Sequence, residues 1–267
     1  MKQFKRINIF ILFFMIISIA IYADDLKTEP WQTPLVNSIN REPIAAHFVP
    51  FKSEKSVINQ LNKPISEIFK LNEQDERRIS LAGEWKFKYH KTPAECNDNY
   101  FLSSGDVFSD WDNINVPGSW EVQGFDAPIY TDEEYPFPAN PPFVPEDYNP
   151  VGVYQRSFST PEEWKDMDIY INFEGVESAF YFWINGVFAG YSEDSRLPAH
   201  FNISEHLIKG ENSLVVKVFR YSDASYLEGQ DYWKYSGIER DVYVYGPFWK
   251  HHTVSSQLGF VLQIHLK

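Results

Sequence analysis

The sequence predicts an all-β protein, a jelly-roll β-sandwich preceded by an extended N-terminal arm and one or two short helices. Three observations carry that expectation. From Ile79 onward, short runs alternate apolar and polar residues: ISLAGEWKFKYH, GVYQRSFS, DIYINFEG, SAFYFWINGVFAGYSED, SLVVKVFRYS and RDVYVYG, separated by Pro, Gly, Asn and Asp. No long helical period falls between them, which argues against a parallel sheet built from βαβ units. Asn185-Gly186 sits between two aromatic-rich runs, the dipeptide that a two-residue type I′ hairpin prefers. No internal repeat or low-complexity tract interrupts the pattern.

Four segments follow from the N-terminus. Residues 1–23 read as a signal peptide: Lys2, Lys5 and Arg6 precede the apolar run INIFILFFMIISIAIYA, which ends on the small residue Ala23. Export to the periplasm or the medium is the expectation. A membrane anchor is the alternative, because the run approaches the roughly 17 residues that a spanning helix needs. No Cys follows the apolar run, so a lipoprotein anchor is disfavoured. Residues 24–75 form the arm. Pro34, Pro43 and Pro50 forbid a regular helix over WQTPLVNSINREPIAAHFVPF and favour extended chain. Trp31, Phe48 and Phe51 predict that the arm lies against a surface. Lys55 to Lys70 has a weak helical pattern broken at Pro64, hence one or two short helices. Residues 76–245 hold the sandwich, and 246–267 form a tail of different character.

Composition narrows the function. A chain of 267 residues holds one large β domain or two small ones, with ample core. The formal net charge of −13 argues against a nucleic-acid partner. One cysteine, Cys96, excludes an intrachain disulfide framework and a Cys-rich zinc site. There is no GxSxG elbow, P-loop or HExxH pair. The histidines are scattered, with His251 and His252 in the tail. Carboxylates are plentiful, yet their spacing nominates no acid/base pair. Aromatics make up 17% of the chain, and Tyr and Trp combine an apolar face with a polar handle. Long aromatic loops on a rigid sandwich are where binding is expected, and carbohydrate is the ligand class that ring faces suit.

Four longer motifs go further: WEVQGFDAPIYTDEEYPF, NPPFVPEDYNPVGVYQRSF, GYSEDSRLPAHFNIS and RYSDASYLEGQDYWKYSGIERDVYVY. Together they resemble the N-terminal sugar-binding domain of the large bacterial β-galactosidases of glycoside hydrolase family 2. The likeness begins with the arm at Trp31 and ends near Tyr245. It implies a galactose-binding-domain-like jelly roll, followed in full-length members by an immunoglobulin-like domain, a TIM barrel and further β domains. It implies hydrolysis of terminal non-reducing β-D-galactose residues, sodium and magnesium ions, and a homo-oligomer for the full-length enzymes.

The same resemblance suggests site residues. Asp223, in SDASYLE, is matched to the acidic residue that binds the galactosyl 6-hydroxyl together with a sodium ion. A hard cation prefers oxygen ligands, and a carboxylate can serve ion and hydroxyl together. An Asx-turn at a strand end is the alternative for Asp223. Asp132 stands where many members have a sugar-contacting Asn; it keeps an acceptor and loses the amide donors. Gln230, Asp231 and Trp233 match the family's QD-W core and are expected to form a buried polar knot. Arg240-Asp241 is expected to fix the last strand by pairing, and Tyr130, Trp120 and Trp183 to pack. Retaining hydrolysis in this family uses two barrel glutamates about 5 Å apart, and no residue of this chain is matched to either. Asn72-Glu73 echoes the acid/base motif but precedes the first strand and is set aside. After Tyr245, GPFWKHHTVSSQLGFVLQIHLK stops resembling the family and contains no Asp or Glu. A shifted frame or shortened gene is one expectation for it, a real last strand in QLGFVLQIHL the other. A chain reduced to its sugar-binding domain is therefore the leading reading, with a stand-alone carbohydrate-binding module or a non-functional fragment as rivals.

Overall fold

Residues 28–44, 54–64, 77–96, 98–101 and 105–246 are described by the computed structural model. The alternating runs become two antiparallel sheets packed face to face. The larger sheet contains β1 (Ser38–Ile39), β3 (Gly83–His90), β4 (Asp112–Val116), β6 (Val151–Ser159), β9 (Ala179–Ile184), β10 (Val187–Ser192) and β12 (Glu211–Phe219), in the order β1-β10-β9-β12-β6-β3-β4. The smaller contains β2 (Arg78–Ser80), β7 (Tyr170–Phe173), β11 (Ala199–Asn202) and β15 (Val242–Tyr245), in the order β11-β7-β15-β2. Two ribbons stand at the loops: β5 (Ile129–Thr131) with β13 (Tyr232–Lys234), and β8 (Val176–Glu177) with β14 (Gly237–Ile238). This is the jelly-roll sandwich that the alternation predicts.

The period of two decides what each face meets. On β12, Leu214, Val216 and Val218 join Phe180, Phe182 and Ile184 of β9 between the sheets. Ile171, Phe173, Phe201, Val242 and Val244 meet them from the smaller sheet. Each such side chain contributes about 1.5–3 kcal/mol when fully buried. The opposite face of the larger sheet is not bare. Ala179, Val215 and Phe219 lie in a second cluster with Trp31, Phe101, Trp111, Phe137 and Tyr221. Gly152 shows how tightly β6 is packed, because a Cβ there would meet Phe87 and Trp120 at 2.7 Å.

Local signals set the connections. Asn185 and Gly186 have φ of 51° and 80°, and Ile184 pairs with Val187, so β9 and β10 form the predicted type I′ hairpin. The arm lies on the sandwich through Trp31, which is buried and stacked on Phe219 with ring centroids 4.9 Å apart. It also contributes β1, a strand that the Pro-rich sequence did not reveal, paired with β10 through Ser38↔Ser192 and Ile39↔Tyr191. Among the described residues of the arm, one α-helix, α1 (Glu54–Leu61), ends before Pro64, and the segment after Pro64 lies outside the described residues. The signal peptide, Phe48, Phe51, Asn72-Glu73, His251 and His252 all lie outside the described residues.

Candidate functional site

The loops at one end of the sandwich are tied together by Arg220, which follows β12. Its side chain is almost wholly buried. Nη1 donates to Asp126 Oδ2 at 2.6 Å, while Nη2 donates to the carbonyls of Ala127 at 3.1 Å and Lys234 at 3.3 Å. Glu121 Oε1 stands 3.7 Å from Nη2, and Glu121 Oε2 accepts the Ser236 N–H at 3.0 Å. One guanidinium thus joins three stretches distant in sequence: WEVQGFDA, RYSD and YWKYS. Next to it, Asn149 clamps Tyr221 in both directions, Nδ2 to carbonyl and N–H to Oδ1, each at 2.9 Å.

Burial pushes the Glu121 carboxyl up to about 7, against the pull of Arg220 and the Ser236 N–H. The consequence for stability has a sign. Between the ordinary 4.5 and about 7, the folded chain keeps a proton that the unfolded chain has released. Stability from this group is present below pH 4.5 and is lost as pH rises through 7. Glu121→Gln should therefore flatten the fall in melting temperature between pH 5 and pH 7. Thermal unfolding at several pH values checks this; an unchanged slope in the variant would remove Glu121 as its source.

Three residues after Arg220, Asp223 is buried. Its N–H donates to the Trp31 carbonyl at 3.0 Å, so the arm fixes its backbone. The turn that follows is closed without its carboxylate: Ser225 N–H donates to the Ser222 carbonyl at 2.9 Å, and Ser222 N–H donates to Ser225 Oγ at 3.1 Å. Asp223 Oδ1 is buried with no hydrogen-bond partner. Burial raises the Asp223 carboxyl, and a hydrogen bond with Glu193 partly offsets that. Glu193 is itself pushed up to about 8 by burial and by the adjacent Asp223 charge, although Tyr191 Oη donates to its Oε1. The two carboxyls share an environment that is costly for two negative charges. A buried carboxylate oxygen without a partner is the kind of ligand that a hard cation prefers. Among the described residues, no group of three or more His, Cys, Asp or Glu side chains converges as a metal site.

The short helix α2 (Ser225–Glu228) follows, and Glu228 accepts from Ser195 N–H at 3.0 Å and Ser195 Oγ at 2.6 Å. A crevice of about 30 Å³ opens between this helix and the 134–137 segment, walled by Tyr135, Phe137, Tyr221, Ser225, Glu228 and Tyr232. Neither Asp132 nor Asp223 lines it. Asp223 lies against Glu193 and the backbone of Trp31, whereas Asp132 is exposed just beyond β5.

Several expectations change here. Gln230, Asp231 and Trp233 do not form a buried knot. All three are exposed, because β13 pairs only with β5 and no further layer covers that face among the described residues. Tyr130 is likewise not a packing residue. It is 52% exposed and donates its hydroxyl to Asp231 Oδ1. Trp120 is fully buried, and Trp183 stacks on Phe101 with centroids 3.9 Å apart, as packing requires. Arg240 fixes its loop through the backbone, donating from Nη1 to the Arg196 carbonyl at 3.1 Å, while the Asp241 carbonyl accepts the Glu174 N–H at 3.0 Å. Glu121, Glu193 and Arg220 lie within the motifs WEVQGFDAPIYTDEEYPF, GYSEDSRLPAHFNIS and RYSDASYLEGQDYWKYSGIERDVYVY, where the sequence gives no sign of their role. In so acidic a chain, only burial separates them from surface charges.

Jelly rolls form a class of β-sandwich that includes lectin domains and carries binding residues on its loops. Residues 79–247 match the model of the family described as glycosyl hydrolases family 2, sugar binding domain, and the chain belongs to that family. A β-galactosidase of Priestia megaterium is 44% identical over 216 residues, 79% of this chain and 20% of that protein. A β-galactosidase of Psychromonas ingrahamii is 49% identical over 171 residues, 64% of this chain and 16% of that protein. The chain thus spans about a fifth of the length of these curated relatives. A crystal structure of Bacteroides uniformis β-glucuronidase overlays 64% of this chain and 18% of that one, with TM-score 0.47 and 24% identity.

Proposed function

We propose that the chain is the sugar-binding portion of a β-galactosidase that removes terminal non-reducing β-D-galactose from β-galactosides, exported by way of its first 23 residues. One observation carries the reading: within the intact SDASYLE motif, Asp223 keeps a buried carboxylate oxygen without a hydrogen-bond partner. The relatives that share this stretch of chain are β-galactosidases, which supports galactose as the sugar. Asp223 would hold a sodium ion beside Glu193, and the ion would supply positive charge to a sugar hydroxyl oxygen. The protein's own contribution is positional. Trp31 and the Ser222–Ser225 turn fix the Asp223 backbone, Tyr191 holds Glu193, and Arg220 braces the surrounding loops. Asp132 offers an acceptor to a second hydroxyl from the exposed end of β5.

Calorimetric titration of the purified chain with galactose in sodium buffer tests this. Removing a charged partner costs about 1–3 kcal/mol, so Asp223→Ala should weaken binding roughly 5- to 150-fold and abolish any sodium dependence. Asp132→Asn should be tolerated. Equal affinity and equal sodium dependence in Asp223→Ala would reduce Asp223 to a structural residue.

A further inference from the structure

A second cavity lies on the outer face of the larger sheet and shares no lining residue with the crevice beside α2. Its volume is about 660 Å³, within the roughly 300–1,000 Å³ typical of small-molecule sites. The floor comes from two paired strands. Lys217 of β12 pairs with Tyr181 of β9, and Phe219 and Trp183 stand two residues further along, so all four share one face. One wall is the arm at Glu29 and Trp31; the other is the connection between β3 and β4, with Cys96 and Phe101. Both walls are fixed without a ligand. Trp31 stacks on Phe219, and Phe101 stacks on Trp183. Gln32 clamps the arm to Val144, accepting its N–H at 2.8 Å and donating to its carbonyl at 3.2 Å. Such preorganisation lowers the ordering cost of binding.

Two opposite charges share this cavity. Lys217 is half-buried in the floor, its Nζ 5.2 Å from the Phe219 ring centroid and 5.5 Å from that of Phe101. Glu29 is exposed at the mouth, beside Tyr181, whose hydroxyl is raised by burial and then by the Glu29 carboxylate. An ammonium already among the rings disfavours a ligand that is only a cation. The formal net charge of −13 disfavours one that is only an anion. A pyranose fits poorly, because Trp31 is buried and both indoles already spend a ring face on a phenyl. Another aromatic ring can still pack against them edge to face. We propose that the cavity binds an aromatic zwitterion, a free aromatic amino acid or short aromatic peptide. Its carboxylate meets Lys217, its ring lies among Trp31, Phe101 and Trp183, and its ammonium points to Glu29. This site goes beyond the proposed function and stands independently of it.

Calorimetry of the purified chain with L-tryptophan, tryptamine, indole-3-propionate and L-leucine tests each part. Tryptamine lacks the carboxylate and should bind roughly tenfold more weakly than L-tryptophan, the loss of a charge-assisted hydrogen bond. Indole-3-propionate lacks the ammonium and should bind roughly threefold more weakly, because Glu29 is exposed. L-leucine should not bind measurably. Lys217→Met should close the gap between L-tryptophan and tryptamine, Lys217→Arg should keep it, and Glu29→Gln should close the gap to indole-3-propionate. Cys96, the one cysteine of the chain, lines the same cavity and needs no variant. Its alkylation by iodoacetamide should slow at least fivefold when L-tryptophan saturates wild type. Asp223→Ala should leave L-tryptophan affinity unchanged, since Asp223 reaches Trp31 only through its backbone N–H. Equal affinity of wild type for L-tryptophan and tryptamine overturns the proposal, as does unchanged Cys96 alkylation. Displacement of L-tryptophan by galactose also overturns it, marking a sugar site instead.

Discussion

Arg220→Met should destabilise the chain by about 3–5 kcal/mol, the cost of stranding a buried charge by removing its partner. Asp126, 2.6 Å from Nη1, would lose its counter-charge, and Glu121 would lose the guanidinium that opposes its burial. The carbonyls of Ala127 and Lys234 would lose donors as well, and such groups are expensive to leave unmade in a buried site. The loss should be partly recovered by adding Glu121→Gln and Asp126→Asn, because uncharged side chains of similar volume remove the stranded charges. Urea unfolding of the three proteins measures this. A loss below about 1 kcal/mol in Arg220→Met would mean that the loops are held by packing alone.

Hydrolysis of a chromogenic β-galactoside by the purified 267-residue chain should not exceed the buffer rate. Retaining hydrolysis places an acid and a nucleophile on either side of the glycosidic bond, about 5–5.5 Å apart. Asp223 and Glu193 lie side by side, each raising or holding the other's proton, rather than on opposite sides of a cleft that could take a glycosidic bond. Asp132 is exposed on a ribbon, without the rigid surroundings that proton transfer to a bound sugar requires. Turnover that survives removal of host β-galactosidase and is abolished by Asp223→Ala would contradict this.

Much of the fold was legible because its strands are long and alternate cleanly. In β9 and β12 every second residue faces the inter-sheet core, and Asn185-Gly186 announces the turn between β9 and β10. The short strands escaped notice for a physical reason. β1, β8 and β14 have two residues each, too few for any period to register, and exist because a neighbouring strand offers hydrogen bonds. The site was legible only as motifs. SDASYLE pointed to Asp223, but nothing in the sequence distinguishes Glu193 or Glu121 from the many solvated acids, since their burial depends on strands far away in the chain. Trp233 and Tyr130 failed in the opposite direction. Large aromatics next to Gln and Asp read as a packed knot, and exposure follows from the ribbon having no second layer among the described residues.

The central claim is that Asp223 holds a galactosyl unit together with a cation, and saturation-transfer NMR tests it most directly. Methyl β-galactoside is observed with the purified chain in sodium chloride and again in choline chloride. Transfer to the sugar is expected in sodium, strongly reduced in choline, and absent for Asp223→Ala in either salt. Equal transfer in both salts, undiminished by Asp223→Ala, would contradict the account.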